Sequence, residues 1–151
     1  MRDLYLEDFH IGDRFESASI EITERHIFDF ARAYDPQPFH LDRGAAEASP
    51  FGELVGSGWH TAALTMRLIV ESPFRPAGGI IGFGVDELRW PNPIRPGDRV
   101  KALVEVLDVR PSASKPDSGT IRVKIETVNQ DGAVVISFMP MLRVPRRGTP
   151  G

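Results

Sequence analysis

The stretch Gly58-Trp59-His60-Thr61-Ala62-Ala63-Leu64-Thr65-Met66-Arg67-Leu68-Ile69-Val70-Glu71 decides the fold. Trp59, Ala62, Ala63, Leu64, Met66, Leu68, Ile69 and Val70 occupy nearly every side of the helix it predicts, and only Arg67 and Glu71 are charged. A helix that is apolar almost all round is buried on most of its faces. The rest of the chain must therefore wrap it.

Outward from this helix toward the C-terminus, the pattern switches to strands. Ile80 to Trp90 is the first, and Pro91-Asn92-Pro93 and Pro96-Gly97-Asp98 break the chain after it. From Val100 to Val109, Val100, Ala102, Val104 and Val106 alternate with polar residues such as Lys101 and Glu105, which is the period of a half-buried strand. Ser112 to Gly119 reads as a loop. Ile121, Val123 and Ile125 then alternate with Arg122, Lys124 and Glu126. Asp131-Gly132 signals a hairpin turn, and Ala133 to Val144 is the last strand, where Pro140 points to an edge or a bulge.

Toward the N-terminus, the chain is irregular as far as Gly12-Asp13, and Phe15 to Ile22 reads as a strand. Thr23 is a good N-cap for a helix whose Ile27, Phe30, Ala31 and Tyr34 recur at helical spacing. Pro36 and Pro38 end that helix, and a short helical piece is expected over Arg43 to Ala48. There is no internal repeat. One long buried helix followed by three or four long antiparallel strands predicts an α+β fold, a single hot-dog domain whose curved sheet wraps the helix. It spans residues 1–145, with 146–151 as a flexible Pro/Gly-rich tail. A sheet with open edges predicts edge-to-edge pairing into a homodimer or a dimer-based higher homo-oligomer.

Bulk composition narrows the functional classes. The chain has 151 residues, 41% hydrophobic and 26% charged, with a formal net charge of -3. That length fits one domain with a real core. Lys and Arg are scattered, which argues against a nucleic-acid partner. The chain has no cysteine, so disulfides, a thiol nucleophile and a Cys-ligated metal are excluded. The N-terminal residues carry no signal-peptide core. No apolar run approaches the roughly 18 residues that would span a bilayer. A soluble cytoplasmic protein with no membrane partner is the expectation.

Two constellations carry chemistry. The first is Asp35-Pro36-Gln37-Pro38-Phe39-His40, with Asp42 two residues on. Asp35 falls at a helix end, where the dipole disfavours an anion, and two prolines stiffen the segment beyond it. A stiff segment can hold a carboxylate and an imidazole in fixed relation, as acid–base catalysis requires. The same residues also suit a simple Asp-Pro turn with a structural histidine, and spacing alone leaves both readings open. The second is Gly56-Ser57-Gly58, leading into the buried helix. Backbone N–H groups at a helix start bind anions or a developing oxyanion, while Gly58 would equally serve tight helix–sheet packing. His60 reads as structural or as a support to the site.

These residues resemble the MaoC-like dehydratase family, which includes the R-specific enoyl-CoA hydratases of hot-dog fold. The family pattern Gly-Asp-x-Asn-Pro-aliphatic-His stands here as Tyr34-Asp35-Pro36-Gln37-Pro38-Phe39-His40, with Ala45 and Ala46 behind it. The later aliphatic-Ala-His-Gly-Met block stands as Val55-Gly56-Ser57-Gly58-Trp59, and Leu88 to Asp98 looks like the strand that ends in Pro-Val-x-x-Gly-Asp. The resemblance implies that Asp35 and His40 hold and activate water, and that the Gly58 backbone N–H forms an oxyanion hole for a thioester carbonyl. Gln37, Phe39, Ser57 and Trp59 would bind substrate. It implies an acyl-CoA substrate, with coenzyme A entering only as part of it, and neither a metal nor any other cofactor. Tyr34, Gln37 and Ser57 depart from the family's Gly, Asn and His. The expected activity is hydration of a 2-enoyl thioester or the reverse dehydration of a 3-hydroxyacyl thioester. The alternatives are a hot-dog thioesterase, against which Gly58 to Met66 carry no carboxylate, and a non-catalytic thioester-binding subunit.

Overall fold

In the computed structural model, which describes residues 1–148, the deciding stretch forms helix α4, Gly58–Val70. Ser57 caps it: its side-chain oxygen accepts from the Trp59 N–H at 3.2 Å, satisfying one donor that a helix start leaves unpaired. His60, Thr61, Thr65, Leu68 and Ile69 are buried. The expectation of burial on most faces fails along one stripe: Trp59, Ala63, Met66 and Val70 share a side of the helix and are exposed. Much of the apolar surface on that side is left uncovered.

The sheet is antiparallel throughout and runs β1-β4-β5-β6-β3, with β2 also on β4. The strands are β1 Arg14–Glu16, β2 Ile20–Glu21, β3 Ile81–Arg89, β4 Arg99–Pro111, β5 Ser118–Val128 and β6 Val134–Pro145. The alternation read from sequence holds: Val100, Ala102, Val104 and Val106 of β4 and Ile121, Val123 and Ile125 of β5 are all buried. They meet α4 in a core that also takes Ile27, Ile94, Phe74 and Val135. Within that core Thr65 and Thr127 touch through their hydroxyls at 2.6 Å. Thr65 spends its own proton on the Thr61 carbonyl at 2.8 Å, so Thr127 is the donor of the pair.

Three expectations need correction. The single strand from Phe15 to Ile22 is two short ones, because Ser17 replaces a ladder carbonyl with its hydroxyl: the Ala102 N–H bonds the Ser17 Oγ at 2.8 Å. Of the edge or bulge expected at Pro140, the edge is wrong and the bulge holds. β6 lies inside the sheet, and the accommodation is irregular register against β3, with shifts on both sides of the Val85–Pro140 and Asp86–Met139 pairs. One edge is β3, the first long strand in sequence, and eight of its nine residues are exposed. Third, the chain beyond β6 is held at its start. The Arg146 N–H donates to Asp117 at 2.8 Å. The Arg147 N–H donates to Glu7 at 2.9 Å, and its guanidinium pairs with Asp8 and lies over the Tyr5 ring. Thr149, Pro150 and Gly151 lie outside the described residues.

No helix among the described residues is long and apolar enough to cross a membrane.

Candidate active site

Helix α1, Glu24–Tyr34, begins at a Thr23 cap and delivers Asp35 at its C-terminal end. The next turn is not a loop. Pro38 opens a short helix, α2, Pro38–Leu41, which suits a residue with fixed φ and no N–H, and His40 sits inside it. Asp42 is not part of the site: its carboxylate caps helix α3, Arg43–Glu47, by accepting from the Ala45 N–H at 2.7 Å.

Asp35 and His40 are brought together. The Asp35 Oδ2 lies 3.5 Å from the His40 Nε2, with both side chains largely buried. The other ring nitrogen, Nδ1, lies 2.8 Å from the Val55 carbonyl. A carbonyl only accepts, so Nδ1 carries a proton, and Nε2 is the ring atom turned toward the carboxylate. Phe39 packs edge-on against the imidazole at 4.6 Å and limits its freedom to turn.

The carboxylate is itself held from two sides. Ser57 Oγ donates to Oδ2 at 2.6 Å and Gln37 Nε2 donates to Oδ1 at 2.6 Å. Burial, the largest influence, pushes the Asp35 pKa up, but the bonds from Ser57 and Gln37 and the charge of His40 outweigh it and leave the carboxyl below its ordinary value. Hydrogen bonds to the ionised form do this in general. The site therefore presents an anion, positioned by two donors, beside an imidazole held through Nδ1.

Ser57 also joins this pair to α4. It donates to Asp35 and accepts from the Trp59 N–H, so one hydroxyl aligns the carboxylate and the helix start. It is fully buried. Its hydroxyl, expected to bind substrate, is committed to Asp35 and the Trp59 N–H. Gln37 likewise commits a donor to Asp35, and Phe39 contacts His40 and Phe51. Trp59 is 57% exposed and stands edge-on to Trp90, 5.0 Å away.

Gly58 is the first residue of α4, where backbone N–H groups have no intrahelical acceptor. The Ser57 cap takes the Trp59 N–H, and the Gly58 N–H has no partner among the described residues. What occupies the space beside Gly58 is Trp90: a Cβ here would lie 2.8 Å from the indole Cε2. The Trp90 Nε1 donates to the Gly58 carbonyl at 2.8 Å. The close fit expected of this glycine is therefore present, and Gly56 is crowded as well, since its Cβ would collide with Ile94 at 2.6 Å.

Sequence reasoning missed Val55 and Trp90. Any residue supplies a carbonyl, so nothing marks Val55. For Trp90 the signal was a large aromatic at a strand end before Pro91. His60 stacks on Phe30, 5.0 Å apart and nearly parallel, with its Nδ1 buried and unbonded. Burial, then the neighbouring His26, lowers its pKa to about 4, so it is neutral near pH 7. A cavity of about 290 Å³ opens farther along α4, between the helix and β3, against Met66, Ile69, Phe74, Gly82, Gly84 and Phe138 among others.

Known proteins share this framework. The MaoC like domain family matches residues 8–129. The crystal structure of a MaoC-like dehydratase from Rhodospirillum rubrum superposes with a TM-score of 0.93 at 49% identity, covering 97% of this chain and 99% of that one. R-hydratase PhaJ1 from Pseudomonas aeruginosa superposes with a TM-score of 0.78 at 27% identity, covering 96% of this chain and 88% of that one. The 3-hydroxyacyl-thioester dehydratase Z of Mycobacterium tuberculosis is 30% identical over 74% of this chain and 75% of its own. The hot-dog fold read from the helix and the strands is thus shared with hydratases and dehydratases, and this chain belongs to the MaoC-like dehydratase family.

Proposed function

We propose that the protein is a lyase that reversibly adds water across the C2–C3 double bond of a 2-enoyl-CoA, giving a 3-hydroxyacyl-CoA. The observation that carries this is the facing pair Asp35 Oδ2 and His40 Nε2, 3.5 Å apart, with Nδ1 held by the Val55 carbonyl; in the reacting form Nε2 carries no proton and both atoms accept. A water that donates to both has its oxygen lone pair directed away from them, toward a substrate. In hydration, one water proton passes to Nε2 as the oxygen bonds C3. The π electrons move toward C2 and onto the thioester oxygen, where the Gly58 N–H meets the developing charge. The enolate then takes a proton at C2 from the imidazolium, which restores the site. Water adds and nothing else is consumed.

The relatives named 3-hydroxyacyl-thioester dehydratase, 3-hydroxybutyryl-CoA dehydratase and R-hydratase support the reaction class. A hydration assay on 2-enoyl-CoA thioesters, followed by loss of the conjugated chromophore, tests the reading. Wild-type turnover with loss in Asp35→Asn is the expected result. Thiol release from saturated acyl-CoA in place of hydration would establish a thioesterase instead.

The same reading makes the protein a homodimer. The exposed apolar stripe Trp59, Met66 and Val70 on α4 continues into Ile81, Phe83 and Val85 on the open edge strand β3, a surface that a second copy would cover by edge pairing. Light scattering should give twice the 16.8 kDa chain mass; the single mass would rule the dimer out.

A further inference from the structure

Gly82 and Gly84 stand in the interior of β3 without a backbone reason. Neither adopts positive φ. A bulge falls between Gly82 and Val85, but a bulge demands glycine only where φ is positive. Crowding does not demand it either. A Cβ on Gly84 would meet nothing within 4 Å, and one on Gly82 would meet Leu142 at 3.4 Å, an ordinary contact. Glycine inside a strand costs stability and marks places where a ligand or another backbone comes close.

Both glycines line the cavity beside α4, whose other lining residues are apolar without exception. The exposed stripe Trp59, Ala63 and Met66 leads along α4 from the Gly58 end to this cavity. Met66 is eight residues past Gly58, about 12 Å at the rise of a helix. An extended chain of single bonds advances about 1.2 Å per bond, so about eight to ten carbons bridge that distance. A terminal carboxylate in such a lining would be left without a partner, which is costly.

We propose that this cavity receives the distal part of a straight, medium-length hydrocarbon acyl chain, and that Gly82 and Gly84 are specificity-determining because the side chains they lack leave room for it. The proposal rests on the enoyl-thioester reading above.

The test compares wild type with Gly84→Val and Gly82→Val on straight-chain 2-enoyl-CoAs of graded length. In wild type, kcat/KM should rise toward about eight to ten carbons, and in Gly84→Val the ratio of decenoyl to crotonyl kcat/KM should fall about tenfold or more. A wild-type maximum on crotonyl-CoA, or ratios unchanged in both variants, overturns the proposal. A second measurement uses saturated thioesters, which cannot be hydrated. Decanoyl-CoA should raise the wild-type Tm more than butyryl-CoA does, and Gly84→Val should lose that difference. If decanoyl-CoA stabilises in this way but no enoyl-CoA of any length is hydrated, the hydratase reading fails and the cavity assignment stands. Equal stabilisation by the two thioesters overturns the assignment. So does a Gly84→Val protein of altered oligomeric mass, since the glycine would then serve the approach of another chain.

Discussion

The two halves of α4 are built on opposite rules. At its N-terminal end hydrogen bonds set the positions: Ser57 serves Asp35 and the Trp59 N–H, Gln37 serves Asp35, Val55 serves His40 and Trp90 serves the Gly58 carbonyl. Toward its C-terminal end the helix borders a cavity with no charged or hydroxyl group. One half is specified by which hydrogen bonds are made, the other by which side chains are missing. Chemistry needs fixed directions, and hydrogen bonds supply them. An apolar chain needs only volume, and glycine supplies that.

The comparison can be broken most sharply at the polar half. Asp35→Asn and His40→Ala should each lower kcat for enoyl hydration by about a thousandfold, within the range found for acid–base groups, with circular dichroism unchanged; comparable activity in either variant removes the pair from the chemistry. Ser57→Ala should cost less, about ten- to a hundredfold in kcat, as for a group acting through another. It also removes a bond that lowers the Asp35 pKa. The acid limb of its pH–rate profile should therefore move to higher pH, which simple loss of packing would not do.

Asp35 carries a stability consequence of the same sign. Its native pKa lies below the ordinary value, so its contribution is complete above that ordinary value and disappears as pH falls through the lowered one. At the apolar half, Val70→Asp places a charge on the exposed stripe and should shift the particle mass toward the single chain, read by light scattering. The smallest effect belongs to His60. Its pKa is held near 4, so the unfolded chain takes up a proton that the native protein refuses, and stability falls as pH drops from about 6.5 toward 4. His60→Phe, which can keep the stack on Phe30, should flatten Tm against pH across that window while changing little at pH 7.

Much of this was legible in the sequence. The α4 helix and the β4 and β5 strands follow from periodicity, and Asp35, His40 and Gly58 stood out through the prolines and glycines around them. The contacts that give those residues a role were not legible. His40 meets Val55 across fifteen positions and Trp90 meets Gly58 across thirty-two, and no local pattern encodes such distances. Sheet order was hidden for the same reason: nothing local in Ile80 to Trp90 shows that the neighbour of β3 is β6, the last strand in the chain. The exposed stripe on α4 was misread as buried, because an apolar side looks alike whether the same chain or a second one covers it.

The Thr65–Thr127 bond, buried in an otherwise greasy core, has a mechanical meaning. Apolar packing is indifferent to direction, so a cylinder of Leu and Ile against a curved sheet has rotational play. The hydroxyl pair, 62 residues apart in sequence, adds a directional tie in mid-helix to those that Ser57 and Trp90 make at its start. Replacing both threonines by valine should be nearly neutral for stability, yet should lower kcat in the hydration assay if that tie helps to aim the helix start. Thermal robustness and catalytic aim are thus separable properties of this molecule, and a protein engineered for the first alone could lose the second unnoticed.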